Sequence, residues 1–150
     1  NMIILTESEM NQANSLADIR NTGMTQYRKK PGLNRHQHFI GALGEIAFAR
    51  LFGLEVEMIQ KPDGDDGVDF ILDGRSIDVK TSEAPFPKLI SLKSKIRADI
   101  YVLAHTKKNK VAFLGWIRKQ NFIDKHQTLI GVEGSPWYVT NEMLNPITTL

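Results

Sequence analysis

Three charged residues near the middle of the chain, Asp69, Asp78 and Lys80, are spaced so that a β-hairpin would bring them together. They lie in the segment VDFILDGRSIDVKT, where two apolar runs flank Asp73-Gly74, a dipeptide typical of a two-residue hairpin turn. Counting back from this turn places Asp69 opposite Asp78. Because side chains alternate faces along a strand, Lys80 shares the face of Asp78.

Two opposed carboxylates repel each other on a sheet face, so this pairing needs a compensating charge. A divalent cation would supply it, and hard carboxylate oxygens suit Mg²⁺ or Mn²⁺. Such an ion binds a phosphoryl oxygen and lowers the pKa of a bound water. Lys80 would then orient or deprotonate the water, or neutralise charge in the transition state. The alternative is a solvent-exposed sheet face (a wet face), on which the charge of Lys80 simply balances the charges of two exposed aspartates.

A third carboxylate, Glu45, is the only acid in the segment HQHFIGALGEIAFARLFG. This segment has helical spacing and little polar surface, which predicts a helix buried on most sides. A carboxylate in such surroundings needs a partner, because burying an isolated charge is expensive. Glu45 is therefore a further candidate for the site, and the alternatives are an ion pair with Arg50 or an exit to solvent at the helix edge.

Periodicity and turn residues assign the elements around these candidates. A capping box at residues 6–9 predicts a first helix from residue 7 that ends at 21–23, and a second helix spans 36–52 before Gly53. Apolar runs predict strands at 54–60, in both arms of the hairpin between 68 and 81, at 99–105 and at 111–117. The remaining segments are a variable stretch at 82–97, a short helix at 119–125 and an extended piece at 136–139. A mixed sheet with helices packed on it follows.

These residues together resemble the PD-(D/E)XK phosphodiesterase superfamily, which has the restriction-endonuclease-like fold. The resemblance lies in GALGEIAFARLFG, GVDFIL and IDVKT, which carry Glu45, Asp69 and the triplet Asp78-Val79-Lys80. It implies an α/β fold with a central mixed β-sheet flanked by helices in the core order αβββαβ, here with an extra N-terminal helix. Strands 99–105 and 111–117 would complete that core.

The resemblance also implies a role for each residue. Lys80 would be the catalytic lysine and Glu45 a further metal ligand or water-positioning group. The metal would be Mg²⁺, with Mn²⁺ as a substitute, held by Asp69, Asp78 and the backbone carbonyl of Val79. One departure is that Val68 stands where the motif's name has proline, and many members of the superfamily also lack that proline.

Basic residues are unevenly distributed, although the formal net charge is only +2. Basic surface attracts phosphate backbones, and the segment before the second helix carries four such residues and no acid: Arg28, Lys29, Lys30 and Arg35. Residues 86–125 carry ten basic residues against two acids, and Lys93, Lys95 and Arg97 are weaker candidates there. Residues 55–73 reverse the pattern, with seven acids and one lysine. The expected partner is DNA, and the resemblance adds a possible homodimer.

Other patterns exclude several classes of protein. The 150 residues are expected to form a single domain, 1–150. No Walker loop and no Gly-x-Gly-x-x-Gly motif occurs, so no nucleotide cofactor is expected. The absence of cysteine, of a long apolar run and of a signal-peptide pattern leads us to expect a cytoplasmic protein without membrane contact. The acids at 63, 65 and 66 do not fit a calcium loop, and His36 and His38 suggest a surface or phosphate contact.

The sequence therefore predicts a metal-dependent nuclease, an endodeoxyribonuclease that hydrolyses phosphodiester bonds with a metal-activated water. One alternative is a structure-selective enzyme of the Holliday-junction resolvase type. Another is a DNA-binding module that has lost catalysis, although such a module has little use for carboxylates that repel phosphate. Trp116, Trp137 and Tyr138 could stack on bases, but their apolar strand context favours a place in the core.

Overall fold

The computed structural model describes residues 2–27, 34–57 and 68–150. Helix α1 spans Glu7–Tyr27, and its capping box forms as predicted, because Thr6 Oγ1 accepts the Glu9 N–H at 3.1 Å and Glu9 Oε1 accepts the Thr6 N–H at 2.9 Å. The helix continues through the predicted end at 21–23. A glycine inside a helix costs only about 1 kcal/mol, which is not enough by itself to end it.

Helix α2 spans Arg35–Phe52, very nearly as predicted. Asn34 caps its start by accepting the N–H of Gln37 at 3.0 Å, and Gly53 ends it with a φ of 67°, which glycine adopts without strain. Helix α3 spans Lys119–Lys125 and confirms the predicted short helix. No helix in the described parts of the chain is long and apolar enough to span a bilayer.

The described strands form two sheets, which confirms a mixed α/β architecture. The larger has the order β1-β6-β5-β3-β2, with β3 and β5 parallel and the other neighbours antiparallel. Its strands are β1 (Met2–Ile4), β2 (Phe70–Leu72), β3 (Arg75–Ser82), β5 (Ile100–Lys107) and β6 (Lys110–Arg118). The smaller sheet has the order β4-β8-β7, from β4 (Leu89–Ser91), β7 (Gln127–Thr128) and β8 (Trp137–Val139).

Two features differ from the predicted core order αβββαβ. Residues 54–57 follow α2 without strand structure, and the rest of the predicted strand 54–60 lies outside the described residues. Residues 83–99 are all described, and they form β4 and a 3₁₀ turn at Lys93–Lys95 instead of the α-helix expected between the third and fourth core strands. Pro85 and Pro87 lack the N–H groups that a helix needs, which disfavours a helix there.

The two faces of the larger sheet are covered by different layers. Ile77 and Val79 of β3 belong to the core that packs against α1 and α2, and Thr81 touches Gly44 of α2. Asp78 lies in register with Tyr101 of β5, which belongs to a second core built with α3 and the smaller sheet. The sheet is therefore buried on both sides, and alternation puts Asp78 and Lys80 on the face turned away from α2.

The close approach of α2 to β3 at Gly44 gives a stability prediction. A Cβ at Gly44 would collide with Thr81 Oγ1 and lie 2.9 Å from Thr81 Cβ, whereas a Cβ at Gly41 would meet nothing within 4 Å. Gly44→Ala is expected to lower the free energy of unfolding by about 1–3 kcal/mol through overpacking. The matched Gly41→Ala is expected to raise it by up to about 1 kcal/mol. Urea unfolding followed by circular dichroism measures both, and equal effects would contradict the close approach.

Candidate active site

The hairpin that carries the candidate residues forms as predicted. Asp73 and Gly74 have φ values of 50° and 77°, the positive pair that a tight hairpin turn requires. The register pairs Leu72 with Arg75 and Phe70 with Ile77. Local turn chemistry therefore fixes the register of the ladder between residues 70 and 77.

Asp69 departs from the predicted ladder at this open end. The ladder stops at the pair Phe70 and Ile77, so Asp69 and Asp78 do not form the predicted cross-strand pair. Asp69 instead donates its N–H to the Ile77 carbonyl at 2.8 Å, and its Oδ2 accepts the N–H of Val79 at 2.7 Å. The side chain of Asp69 thus accepts a hydrogen bond from the backbone of β3. In a longer ladder, a backbone group of β2 would occupy this place.

Asp78 is buried, with 1% of its surface exposed. Its Oδ2 lies 3.1 Å from the Nζ of Lys80, whose side chain is about a quarter exposed. The wet-face alternative is therefore wrong for Asp78. A buried carboxylate beside a lysine that reaches solvent is a charge pair at the boundary of the core, with the amine on the accessible side.

Tyr101 borders this pair from the neighbouring strand and was not singled out from the sequence. Its hydroxyl oxygen accepts the N–H groups of Arg97 at 2.7 Å and Ala98 at 3.1 Å. Burial, with the Asp78 charge as a further cause, raises the pKa of Tyr101 above its ordinary value. Tyr101 therefore stays neutral beside Asp78 and does not act as a base near neutral pH.

Glu45 is placed differently from either predicted alternative. It is buried, and its carboxylate forms a two-point ion pair with the guanidinium of Arg20 from α1, Nη2 to Oε1 at 3.0 Å and Nη1 to Oε2. Arg50 instead donates to the carbonyl of Ile4 at 2.8 Å and to Glu9 at 3.1 Å. Sequence reasoning missed Arg20, because it precedes Glu45 by 25 residues on another helix.

The candidate residues thus divide into two groups. Asp69 bonds to the Val79 N–H at the edge of β3 and Asp78 pairs with Lys80 on the same strand, while the Glu45 carboxylate is bound by Arg20 between α1 and α2. Within residues 2–27, 34–57 and 68–150, no three Asp, Glu or His side chains converge on one point that could hold a metal. A place for Glu45 among the metal ligands stays a prediction.

The donor set at the edge of β3 fits a hard divalent cation. The N–H and C=O of one strand residue point to the same edge, so the carbonyl of Val79 lies on the side that Asp69 occupies. Asp69 bonds to the Val79 N–H on that side, and Asp78 is the residue before Val79 on β3. Two carboxylates and a carbonyl are the oxygen ligands that Mg²⁺ and Mn²⁺ prefer, with water completing the coordination.

The predicted DNA-contacting residues are only partly described. Arg28, Lys29 and Lys30 lie outside the described residues. Arg35 begins α2, is exposed, and its Nε donates to Asp18 Oδ1 at 2.6 Å. This hydrogen bond is the largest cause that lowers the pKa of Asp18 and raises that of Arg35. The charge of Arg35 is therefore already partly balanced within the chain.

His38 gives a pH-dependent prediction. Its Nε2 is buried and has no hydrogen-bond partner among the described residues, whereas His36 meets Glu83 at 2.9 Å on the surface. Burial, followed by the charge of Arg20, lowers the pKa of His38 below 6.5. The unfolded chain then binds a proton at His38 more readily than the folded chain does. The free energy of unfolding should therefore be highest above about pH 6.5 and should fall as the pH drops below that value.

Urea unfolding at about pH 7.5 and about pH 5.5, on either side of the ordinary histidine pKa, checks this expectation. The parent is expected to lose stability at the lower pH, and His38→Phe is expected to lose less. His36→Phe is the matched control and should behave like the parent. An equal loss in the parent and in His38→Phe would show that other groups cause the pH dependence.

Comparison of the chain with protein-family models, with curated proteins and with solved structures gives no match.

Proposed function

We propose that the chain is a metal-dependent nuclease that hydrolyses DNA phosphodiester bonds, and that its domain has the restriction-endonuclease-like fold. The observation that carries the proposal is the group at the open edge of β3. There Asp69 meets the Val79 N–H at 2.7 Å, and the buried Asp78 meets Lys80 at 3.1 Å. Two carboxylates and a lysine beside the end of the β2–β3 ladder are not needed to stabilise the edge of a sheet.

The topology supports the fold proposal in part. A helix that carries a glutamate precedes an antiparallel hairpin, and the second strand of the hairpin pairs in parallel with β5. The segment between β3 and β5 departs from the core order, because it forms β4 and a 3₁₀ turn. A homodimer that cuts both strands of a duplex belongs to the same proposal and rests on the resemblance.

The metal would be Mg²⁺, or Mn²⁺ in its place, held by Asp69, Asp78 and the Val79 carbonyl, and it would supply water activation and charge neutralisation at the phosphate. The protein has its own tasks in the reaction. The hydrogen bond from the Val79 N–H fixes Asp69, and burial with Tyr101 as neighbour fixes Asp78. Positioning of this kind avoids reorganisation during the reaction, which is a large part of catalysis.

Lys80 is the member of this group that is placed to contact the substrate. Its Nζ sits beside Asp78 yet is partly exposed, so it can reach an incoming phosphate without leaving the carboxylate. As an ammonium it neutralises negative charge on the phosphate oxygens, and as an amine it accepts a proton from the attacking water. A positioned acid or base of this kind contributes about 10²–10⁴-fold in rate.

Incubation with supercoiled plasmid in Mg²⁺, in Mn²⁺ and in EDTA tests this function. The parent is expected to produce nicked or linear plasmid only with metal, and Lys80→Ala is expected to lose about 10²–10⁴-fold in rate. Lys110→Ala, which removes an exposed lysine of β6, is the matched control and should cut like the parent. Cutting by Lys80→Ala at the parental rate, or cutting in EDTA, would contradict the proposal.

Branched substrates extend the same experiment. A labelled four-way junction and a linear duplex of matched length should be incubated with the parent and with Lys80→Ala. Preferential cutting of the junction would favour the structure-selective alternative. Tight DNA binding with no cutting of any substrate would favour a binding module and would contradict a nuclease.

A further inference from the structure

The smaller sheet presents an exposed surface that the proposed active site does not explain. In β4, Leu89 and Ser91 are buried, whereas Ile90 between them is 41% exposed and lies in register with Tyr138 of β8. Lys88 comes directly before β4, and its Nζ lies 5.0 Å from the centre of the Tyr138 ring. We call the residues Lys88, Ile90 and Tyr138, together with Phe86 two residues before Lys88 in the chain, the aromatic–lysine face.

Phe86 is the most unusual member of this face. It is 88% exposed and lies between Pro85 and Pro87. Proline fixes its own φ and restricts the residue before it, so these two residues hold the backbone around the ring in a narrow range of conformations. An aromatic side chain held outward in this way is a common feature of binding surfaces, where it supplies contact area at low entropic cost.

Exposed hydrophobic side chains are concentrated in this part of the molecule. Among the described residues, four of the eight large exposed hydrophobic side chains lie in segments 83–91 and 127–139: Phe86, Ile90, Ile130 and Val132. Scattered exposed hydrophobics need no explanation, but a concentration on one small unit marks an interaction site. The smaller sheet is therefore expected to contact a partner.

The charge around β4 favours a polyanion as the partner. Residues 83–98 carry four basic residues, Lys88, Lys93, Lys95 and Arg97, against one acid, Glu83, which meets His36 at 2.9 Å. Lysine also lies near a second ring, since Lys93 Nζ is 5.6 Å from the centre of the Trp137 ring. His126 stacks on Trp137 with 3.6 Å between the ring centres, so one face of that ring is occupied within the chain. Exposed rings interleaved with lysines are typical of surfaces on which bases stack while cations contact phosphates.

The position of the smaller sheet connects it with the candidate active site. Leu89 of β4 and Val139 of β8 are buried in the core that contains Tyr101 and Leu103 of β5. These two β5 residues lie in register with Asp78 and Lys80. The smaller sheet therefore covers the side of the larger sheet that carries the Asp78–Lys80 pair. A single strand of nucleic acid bound to the smaller sheet would lie on that same side of the molecule.

We infer that the aromatic–lysine face binds single-stranded nucleic acid by stacking unpaired bases on Phe86 and Tyr138, with Lys88 on the phosphates. A duplex keeps its base faces inside the helix, so stacking of this kind selects single strands or unpaired regions. The inference rests on the proposed function and refines it, because it makes the substrate of the nuclease a DNA with unpaired bases.

Fluorescence anisotropy with labelled oligo(dT) and with a duplex of equal length tests this inference, with EDTA present so that metal plays no part. The parent is expected to bind oligo(dT) more tightly than the duplex. Stacking on one aromatic side chain contributes enough that Phe86→Ala should weaken oligo(dT) binding about fivefold or more. Lys88→Ala should weaken it and reduce the salt dependence, with a slope of log K against log salt lower by about 0.7.

Two matched controls lie in the larger sheet, on β1 and on its neighbour β6. Ile4→Ser removes an isoleucine of β1 that is 56% exposed, and Lys110→Ala removes an exposed lysine in register with it. Both are expected to bind oligo(dT) like the parent. Equal loss in the controls and in the face variants would overturn the inference in favour of non-specific charge attraction. Unchanged binding in Phe86→Ala would also overturn it.

A second copy of the chain is the other occupant that the experiment can detect. Sedimentation analysis of the parent and of Phe86→Ala should show the same oligomeric state. If Phe86→Ala dissociates an oligomer and leaves oligo(dT) binding intact, the face is a protein interface and the inference is wrong.

Cleavage measured in parallel separates this inference from the proposed function. One outcome is that the parent cuts DNA with metal, while Phe86→Ala and Lys88→Ala bind oligo(dT) as tightly as the parent. That outcome would overturn the inference and leave the proposed nuclease standing. Oligo(dT) binding that depends on Phe86 and Lys88, in a chain that cuts no single-stranded, duplex or branched DNA with metal, would overturn the nuclease alone.

Discussion

Asp78→Asn is expected to remove metal-dependent DNA cleavage while DNA binding in EDTA is kept or strengthened. The substitution preserves the size of a buried side chain but removes its charge, so the group that would hold a cation is lost. The expected fall in the single-turnover rate is about two to four orders of magnitude, the range found when a positioned catalytic group is removed. Loss of a carboxylate near the phosphate also removes a repulsion, which explains the retained or stronger binding.

The turn residue Asp73 offers a matched control for this experiment. Asp73→Asn makes the same chemical change five positions earlier, at an exposed site whose φ of 50° asparagine also tolerates. It should cut and bind like the parent. Cleavage by Asp78→Asn at the parental rate would contradict a catalytic role, and loss of both binding and folding would show that Asp78 acts through structure.

Arg20→Ala is expected to destabilise the fold more than Gly44→Ala or any single substitution in the candidate site. The side chain of Glu45 is only 6% exposed, and Arg20 contacts both of its carboxylate oxygens, so removing the guanidinium leaves a buried carboxylate without its ion pair. Breaking a buried pair from one side costs about 3–5 kcal/mol. The Arg20 side chain is 17% exposed, so water can enter the space that it leaves and solvate Glu45. We therefore expect a loss of unfolding free energy in the lower part of that range.

Two further variants make this prediction specific. In Arg20→Ala combined with Glu45→Gln, the buried charge is gone, so part of the lost stability should return. Arg35→Ala breaks the exposed α1–α2 pair with Asp18 and should change stability far less, since water replaces such a partner easily. Urea unfolding measures all three. Equal losses in Arg20→Ala and Arg35→Ala would contradict a buried, tightly coupled pair.

The parts of the fold that local chemistry determines could be predicted from the sequence. Asp73-Gly74 specifies its own turn, and the register of the hairpin follows from it. The capping box at Thr6 and the glycine at position 53 likewise mark helix ends through contacts only a few residues apart. These features need no information about the rest of the chain.

The parts that depend on distant contacts could not be predicted. The partner of Glu45 lies on another helix, and helical periodicity does not indicate which of several arginines reaches it. The smaller sheet is built from strands of two or three residues, too short to show alternation, and β1 pairs with a strand more than 100 residues later. The departure of Asp69 from the ladder also depends on a side-chain bond to Val79 that no spacing rule contains.

The most direct measurement is a titration of Mn²⁺ followed by electron paramagnetic resonance, because it needs no knowledge of the DNA substrate. The central claim is that Asp69 and Asp78 hold a divalent cation at the open edge of β3. The parent and Asp73→Asn are expected to bind the ion alike, with Mg²⁺ competing, while Asp69→Asn and Asp78→Asn lose that binding. Binding that is equal in all four proteins, or absent from the parent, would contradict the claim.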